Sequence, residues 1–404
     1  MGRCDIASLS LITCTLLCLV KHIIPLLHEP TYFTWSCETL FHHQRILKML
    51  QNSLTQTSRT CYLWDHPQVI KSGQLHLAWN YAQNPEDHQC FINMLQVSPG
   101  VFQVLLNLIE EHSIFQNNSN NSQRPVEVQL ATTLYRMGRY GNGASLEDVA
   151  WICGGSEGDV KNATNQCFDA IESLHDLFIH PLTREEKEIE KEWMDQHLGF
   201  QGLWCEGWVM YDGTIVVLYA KPGLNGDAYY THKGNYGLNA QVNSTFHFSI
   251  LNFTNIHQIG NVPSNLWIVD YAHGHTGSAH DAAAFEHTGA AKYPEWFFEG
   301  EEFAWADSAY SLDPHTIPIH KKPASLRPEN IIFDCAVSHL HVHSKHCMGA
   351  LKDWFQCLQG LRVDINSNSD HVQACHWITI AIILHNMVID VEGGNSAGQF
   401  GSIH

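Results

Sequence analysis

The chain is short of positive charge. It has 22 Lys and Arg against 41 Asp and Glu over 404 residues, a formal net charge of −19. Tight non-specific binding to a polyanion draws on Lys and Arg to displace counterions, so this composition argues against such binding across the surface and leaves only local basic patches. The 28 histidines add little charge at neutral pH. No CxxC pair occurs among the 13 cysteines, which are scattered and odd in number. That pattern disfavours both a disulfide framework and a zinc ribbon, and fits a reduced compartment. Long apolar runs are also scarce. Ile6 to Val20 is uncharged and mostly apolar but too short to cross a bilayer comfortably. Asp5 sits where a signal peptide is positive, and no small-residue cleavage site follows. A buried or poorly defined amphipathic helix is expected there, with an anchor or secretion signal as the alternative. The sequons at Asn117, Asn120, Asn162, Asn243 and Asn252 matter only under that alternative.

What the chain does have is a buried carboxylate pattern. Gly207 to Tyr219, GWVMYDGTIVVLY, is an apolar, β-branched run broken by Asp212. Burying that charge is costly unless it is paired or binds a cation. For an isolated Asp-Gly, a turn cap is the plainer reading. Phe303, Ala304 and Trp305 form a second short apolar strand that ends at Asp307. A helix-like run, SKHCMGALKDWFQCLQGLRV, starts at Ser344. Two acidic strand ends followed by an amphipathic helix is the layout of a nuclease whose carboxylates hold divalent ions against a phosphodiester.

In order along the chain, DGT at 212–214, GSAHD at 277–281, ADSAY at 306–310, HKKPAS at 320–325 and HCMGALK at 346–352 resemble the PIF/Harbinger-type DDE transposases, in the version found in fungi. The resemblance runs from about residue 60 to 393. It implies an α+β fold: an RNase H-like mixed sheet flanked by helices, preceded by a helical region containing a helix-turn-helix. It also implies Mg²⁺ or Mn²⁺ bound through Asp212 and Asp307, phosphodiester cleavage and strand transfer on transposon-end DNA, and homo-oligomerisation. A Myb-like accessory DNA-binding protein and a nuclear location are implied as well. The family's third catalytic carboxylate, a Glu, falls at a position occupied here by Lys345. An ammonium pointing inward there opposes a nearby cation by roughly 4 kcal/mol per unit charge at ~4 Å and an effective dielectric near ~20. The competing reading is therefore a catalytically inactive relic or interaction protein that keeps the fold. His341 and His343 stand where the family has Arg, and Asp353-Trp354 and His232 are further departures. Each is reachable by one C-to-T or G-to-A transition, which suggests a transposon copy under transition-biased mutation.

Around this core the expected organisation is an ill-defined region over 1–85, a helical module over 86–182, a charged solvated connector over 183–200, the nuclease domain over 201–393 and a tail over 394–404. Within the module, Ser145 caps LEDVAWIC, Gly154-Gly155 turns the chain, and Ser156 caps a helix to about Leu174. That helix offers one cation, Lys161, among acids, so a packing role competes with groove readout. Lys161 and Lys352 are the cations expected to meet DNA. A Gly/Asn-rich hairpin follows Asp212, with a second strand over Tyr236–Gln241. Residues 242–258 have no counterpart in the family and read as an insertion, either a retained intron or a surface hairpin. His280 and Asp281 are expected to orient the metal ligands or cap a helix, with Asp281 as an alternative direct ligand. His339, His341, His343 and His346 crowd together and resemble a metal-binding tract, although two of them stand at family arginine positions.

Overall fold

Ser98, Ser145, Ser156 and Thr183 each sit one residue before a run of helix-forming sequence. In the computed structural model each accepts a hydrogen bond from a backbone N–H of the first turn. The structure describes residues 73–117, 123–199, 202–231, 233–238, 258–272 and 288–393, plus scattered helical residues between 41 and 52. The chain divides into two units, Met1–Ile70 and Lys71–His404. The first contributes only those helical residues, so the N-terminal apolar run lies outside the described residues, as does the tail.

In the second unit the helical stretch comprises α1 (Leu77–Gln83), α2 (His88–Leu95), α3 (Pro99–Ile109), α4 (Val126–Met137), α5 (Leu146–Cys153) and α6 (Glu157–Glu172). Gly154 ends α5 in the left-handed region at φ 65°, which a glycine adopts without strain, and the chain turns at once into α6. The inward face of α6 presents Val160, Ala163, Cys167, Phe168 and Ile171. Of these, Val160, Cys167, Phe168 and Ile171 share one hydrophobic cluster with the long C-terminal helix, so the helical stretch and that helix have a common core.

The sheet has five strands in the order β3-β2-β1-β4-β5. They are β1 (Gly207–Asp212), β2 (Gln258–Asn261), β3 (Ile268–Ala272), β4 (Phe303–Ala306) and β5 (Thr316–Pro318). The β1–β2 and β2–β3 pairs are antiparallel, whereas β1–β4 and β4–β5 are parallel. Two expectations change here. The first strand stops at Asp212, because the Asp side chain takes the Gly213 N–H and turns the backbone out of the ladder. Val217 and Leu218 instead make single bridges to Gly237 and Leu361. Tyr236 bridges back to Tyr230, so among the described residues that segment forms a side hairpin. Gln258–Asn261 provides the second strand of the sheet.

Successive residues of a strand face opposite sides. Val209, Tyr211, Ala304 and Ala306 pack with Phe297 and Phe298. Met210 and Trp305 face the other way, toward Met194, Val337 and Leu340. Met194 belongs to α7 (Arg184–Leu198), and the other two to α8 (Pro328–Trp354). The expectation of a solvated connector is corrected at α7, which lies on the sheet with Lys187, Glu190 and Met194 buried. Glu302 answers its lysines. Lys187 Nζ donates to Glu302 Oε2 at 2.9 Å, and Lys191 Nζ pairs with Oε1 at 2.9 Å.

The C-terminal helix, α9 (Asn368–Glu392), is apolar nearly all round and buried as a core helix. It also seals a sheet edge. Asn386 accepts the Ile268 N–H and donates to the Ile268 and Phe178 carbonyls, engaging backbone groups that an edge strand leaves open.

Candidate metal centre

Asp212 is the last residue of β1 and Asp307 the first after β4. The two strands are parallel neighbours with Tyr211 opposite Ala306, so the next step along each brings the carboxylates side by side. Strand alternation puts both on the Met210 and Trp305 face, beneath α8. A local turn claims one oxygen of each. The Gly213 N–H donates to Asp212 Oδ1 at 2.8 Å, and the Ala309 N–H to Asp307 Oδ1 at 2.7 Å. These bonds fix where the carboxylates point.

Helix α8 differs from expectation in its length. It begins at Pro328, which takes the first-turn position where its missing N–H costs nothing, and runs on through the histidine-rich stretch. His339 to His346 is therefore helix interior, and its members point in different directions. His341 turns toward the carboxylates: its Nε2 lies 3.8 Å from Asp212 Oδ2. One donor atom from each of Asp212, Asp307 and His341 falls within 4.8 Å of the others, the one such group found among the described residues. Among the described residues the Nδ1 of His341 is buried with no hydrogen-bond partner. His343 instead meets the Trp193 ring and His346.

The helix is held in register by polar contacts on either side of one buried stripe. Ser344 donates to Asn261 Oδ1 on β2 at 2.6 Å, and the Cys347 thiol to the Leu266 carbonyl at 3.3 Å. Lys352 Nζ donates to Thr214 Oγ1 and to the Ile215 carbonyl, just beyond Asp212. Burial lowers the Lys352 ammonium to about 8, with Lys233 adding to the effect. Its charge is thus committed to the strand end rather than presented outward. Lys345 lies one turn beyond His341 and is exposed. Lys161 is exposed on α6. On the same helix Gln166 is occupied by Gln123 and the Ile114 carbonyl.

Desolvation pushes the Asp212 carboxyl above the ordinary carboxylate range. His341 and the Gly213 N–H pull it down, Asp307 raises it, and Lys345 lowers it. Two carboxylates and an imidazole are a donor set that divalent metals accept. The His341 Nε2, which faces Asp212 Oδ2 at 3.8 Å and so beyond hydrogen-bond length, is the ring nitrogen placed for that use. His280 and Asp281 fall in 273–287, outside the described residues, and so does His232. Of the proposed insertion, only Gln258 is described, at the start of β2.

With this geometry in view, residues 254–386 match the family model described as DDE superfamily endonuclease. The match supports the DDE superfamily for this stretch. It includes Asp307, His341 and Lys345 and begins after Asp212. Neither the comparison with curated proteins nor that with solved structures gave a match.

The sequence reading missed His341 as a partner of the two aspartates. The signal lay in Arg327-Pro328, a helix start that carries the helical repeat back through the histidines. Continued that far, the repeat puts His341 and Lys345 on one face.

Proposed function

We propose that the chain is a transposon-derived DDE endonuclease of the PIF/Harbinger type, acting on DNA phosphodiesters by hydrolysis and strand transfer. The observation that carries this reading is the placement of Asp212 and Asp307 side by side on the ends of parallel strands, under one long helix. The strand order 3-2-1-4-5, with the first three strands antiparallel and the last two parallel to the first, supports an RNase H-like architecture. The family match over 254–386 supports a DNA substrate.

A divalent ion such as Mg²⁺ or Mn²⁺, when bound, supplies Lewis acidity toward phosphoryl oxygens and lowers the pKa of bound water. Asp212 and Asp307 would hold it. The Gly213 and Ala309 N–H groups keep the two carboxylates turned inward, and the β1–β4 pairing sets their separation. Lys345 stands at the exposed rim, where water screens its repulsion of a cation and its ammonium is free to meet a phosphate. The α5–turn–α6 unit is a helix-turn-helix whose exposed Lys161 meets DNA. His280 and Asp281 orient the ligands, the enzyme works in the nucleus as a homo-oligomer, and a Myb-like protein supplies further DNA affinity to an acidic chain. Residues 242–258 are read as an insertion, although the family match already covers 254–258.

Lys345 favours a second reading, a relic that keeps the fold and has lost the chemistry. Plasmid nicking in Mn²⁺ separates the two. Activity of the unaltered protein that disappears in Asp212→Asn and Asp307→Asn supports the enzyme. Nicking only after Lys345→Glu identifies one silencing residue, and no nicking by any version supports the relic.

A further inference from the structure

We infer that His341 is the third protein ligand of the metal centre, and that the ion held there is one that accepts imidazole nitrogen: Mn²⁺, Co²⁺ or Zn²⁺ in preference to Mg²⁺. The inference rests on the reading of Asp212 and Asp307 as metal ligands and adds to it a ligand from α8 and a selectivity. Three observations lead to it. First, the donor atoms of Asp212, Asp307 and His341 already lie within 4.8 Å of one another, close enough to share an ion. Second, among the described residues no hydrogen bond holds the ring: Nδ1 is buried and unpartnered, and Nε2 faces Asp212 Oδ2 at 3.8 Å, beyond hydrogen-bond length. Third, α8 cannot readily rotate the ring away. Ser344 is tied to Asn261, Cys347 to the Leu266 carbonyl, and Lys352 to Thr214 and Ile215.

The chemistry of the donor set gives the selectivity. Mg²⁺ strongly prefers oxygen ligands and retains its waters, whereas imidazole suits the later divalent ions. Two carboxylate oxygens and one nitrogen shift the balance toward Mn²⁺ and beyond. The rival account of the same geometry is a plain ion pair between a protonated His341 and Asp212. That account gives the ring no bond to a metal.

The test is Mn²⁺ titration of the full chain, followed by pulsed electron paramagnetic resonance of the bound ion. The expected result is one ion per chain showing ¹⁴N coupling from a directly bound imidazole, with Mn²⁺ held at least about tenfold more tightly than Mg²⁺. His341→Ala should remove the coupling and weaken Mn²⁺ at least about tenfold. His341→Gln, which keeps bulk and polarity, should do the same if the alanine variant fails to fold. A His343→Ala/His346→Ala double variant should leave the signal in place, since those rings face elsewhere. Mn²⁺ bound to the unaltered protein without ¹⁴N coupling, or coupling that survives in His341→Gln, overturns the inference and leaves the aspartate pair standing. An ion that stays bound in Asp212→Asn, or no binding at all, overturns the underlying reading as well.

Discussion

Two of the clusters of buried charge on this sheet are balanced differently. Under α7, Glu302 receives Lys187 and Lys191, each at 2.9 Å, and accepts the Glu299 N–H at 2.9 Å. Lys187 also donates to the Phe297 carbonyl and lies over the Trp208 ring. Burial acts to raise the Glu302 carboxyl, yet the Glu299 N–H and the two lysines outweigh it and hold it below its ordinary value. Under α8, two carboxylates face one imidazole, and burial wins at Asp212. The first cluster contains its own counter-ions and serves the fold. The second gathers negative charge without matching it, which is the arrangement of a site for a cation.

Truncation should break this comparison most visibly. Glu302→Ala leaves Lys187 buried without a carboxylate, and should cost about 3–5 kcal/mol in urea unfolding. Asp212→Asn, by contrast, removes a carboxylate that the fold does not neutralise. It should leave stability unchanged or raise it by up to about 1 kcal/mol while abolishing metal binding. Equal losses in the two variants would mean that the clusters do not differ in kind.

A buried titratable group outside both clusters sharpens the point. His385 on α9 donates to the Leu266 carbonyl at 3.0 Å, and burial lowers it to about 4. Its folded pKa lies below the unfolded value near 6.5, so the unfolded chain takes up the proton first as pH falls. The stability contribution is complete above pH ~6.5 and is lost progressively down to pH ~4, roughly 3 kcal/mol in all. Chemical unfolding across that range, beside His385→Gln, should show a flatter profile in the variant.

The smallest expected effect is at Thr183, whose hydroxyl and Glu186 close the capping box that starts α7. Thr183→Ala should cost about 1 kcal/mol and leave metal binding unchanged. A change in metal binding would couple the two clusters.

Much of this was legible from local sequence. The cap residues Ser145 and Ser156 and the Gly154-Gly155 turn are signals carried by neighbours in the chain. Asp212 and Asp307 were legible because each closes a short apolar strand. What stayed hidden depended on distant partners. The burial of Lys187 needs Glu302, which is remote in sequence, so α7 looked like a solvated helix. His341 was hidden by its context: among other histidines it resembled part of a tract, and only the helix that begins at Pro328 separates its direction from that of His343. The second strand was misplaced because the Tyr236 segment has strand-like chemistry but finds its partners in Tyr230 and Val217.

The most direct test of the account is Mn²⁺ binding at equilibrium by the unaltered chain, Asp212→Asn and Asp307→Asn, with folding of each verified by circular dichroism. The account predicts one ion per chain, lost in both variants while the fold is kept. Binding that persists with either aspartate removed would contradict it.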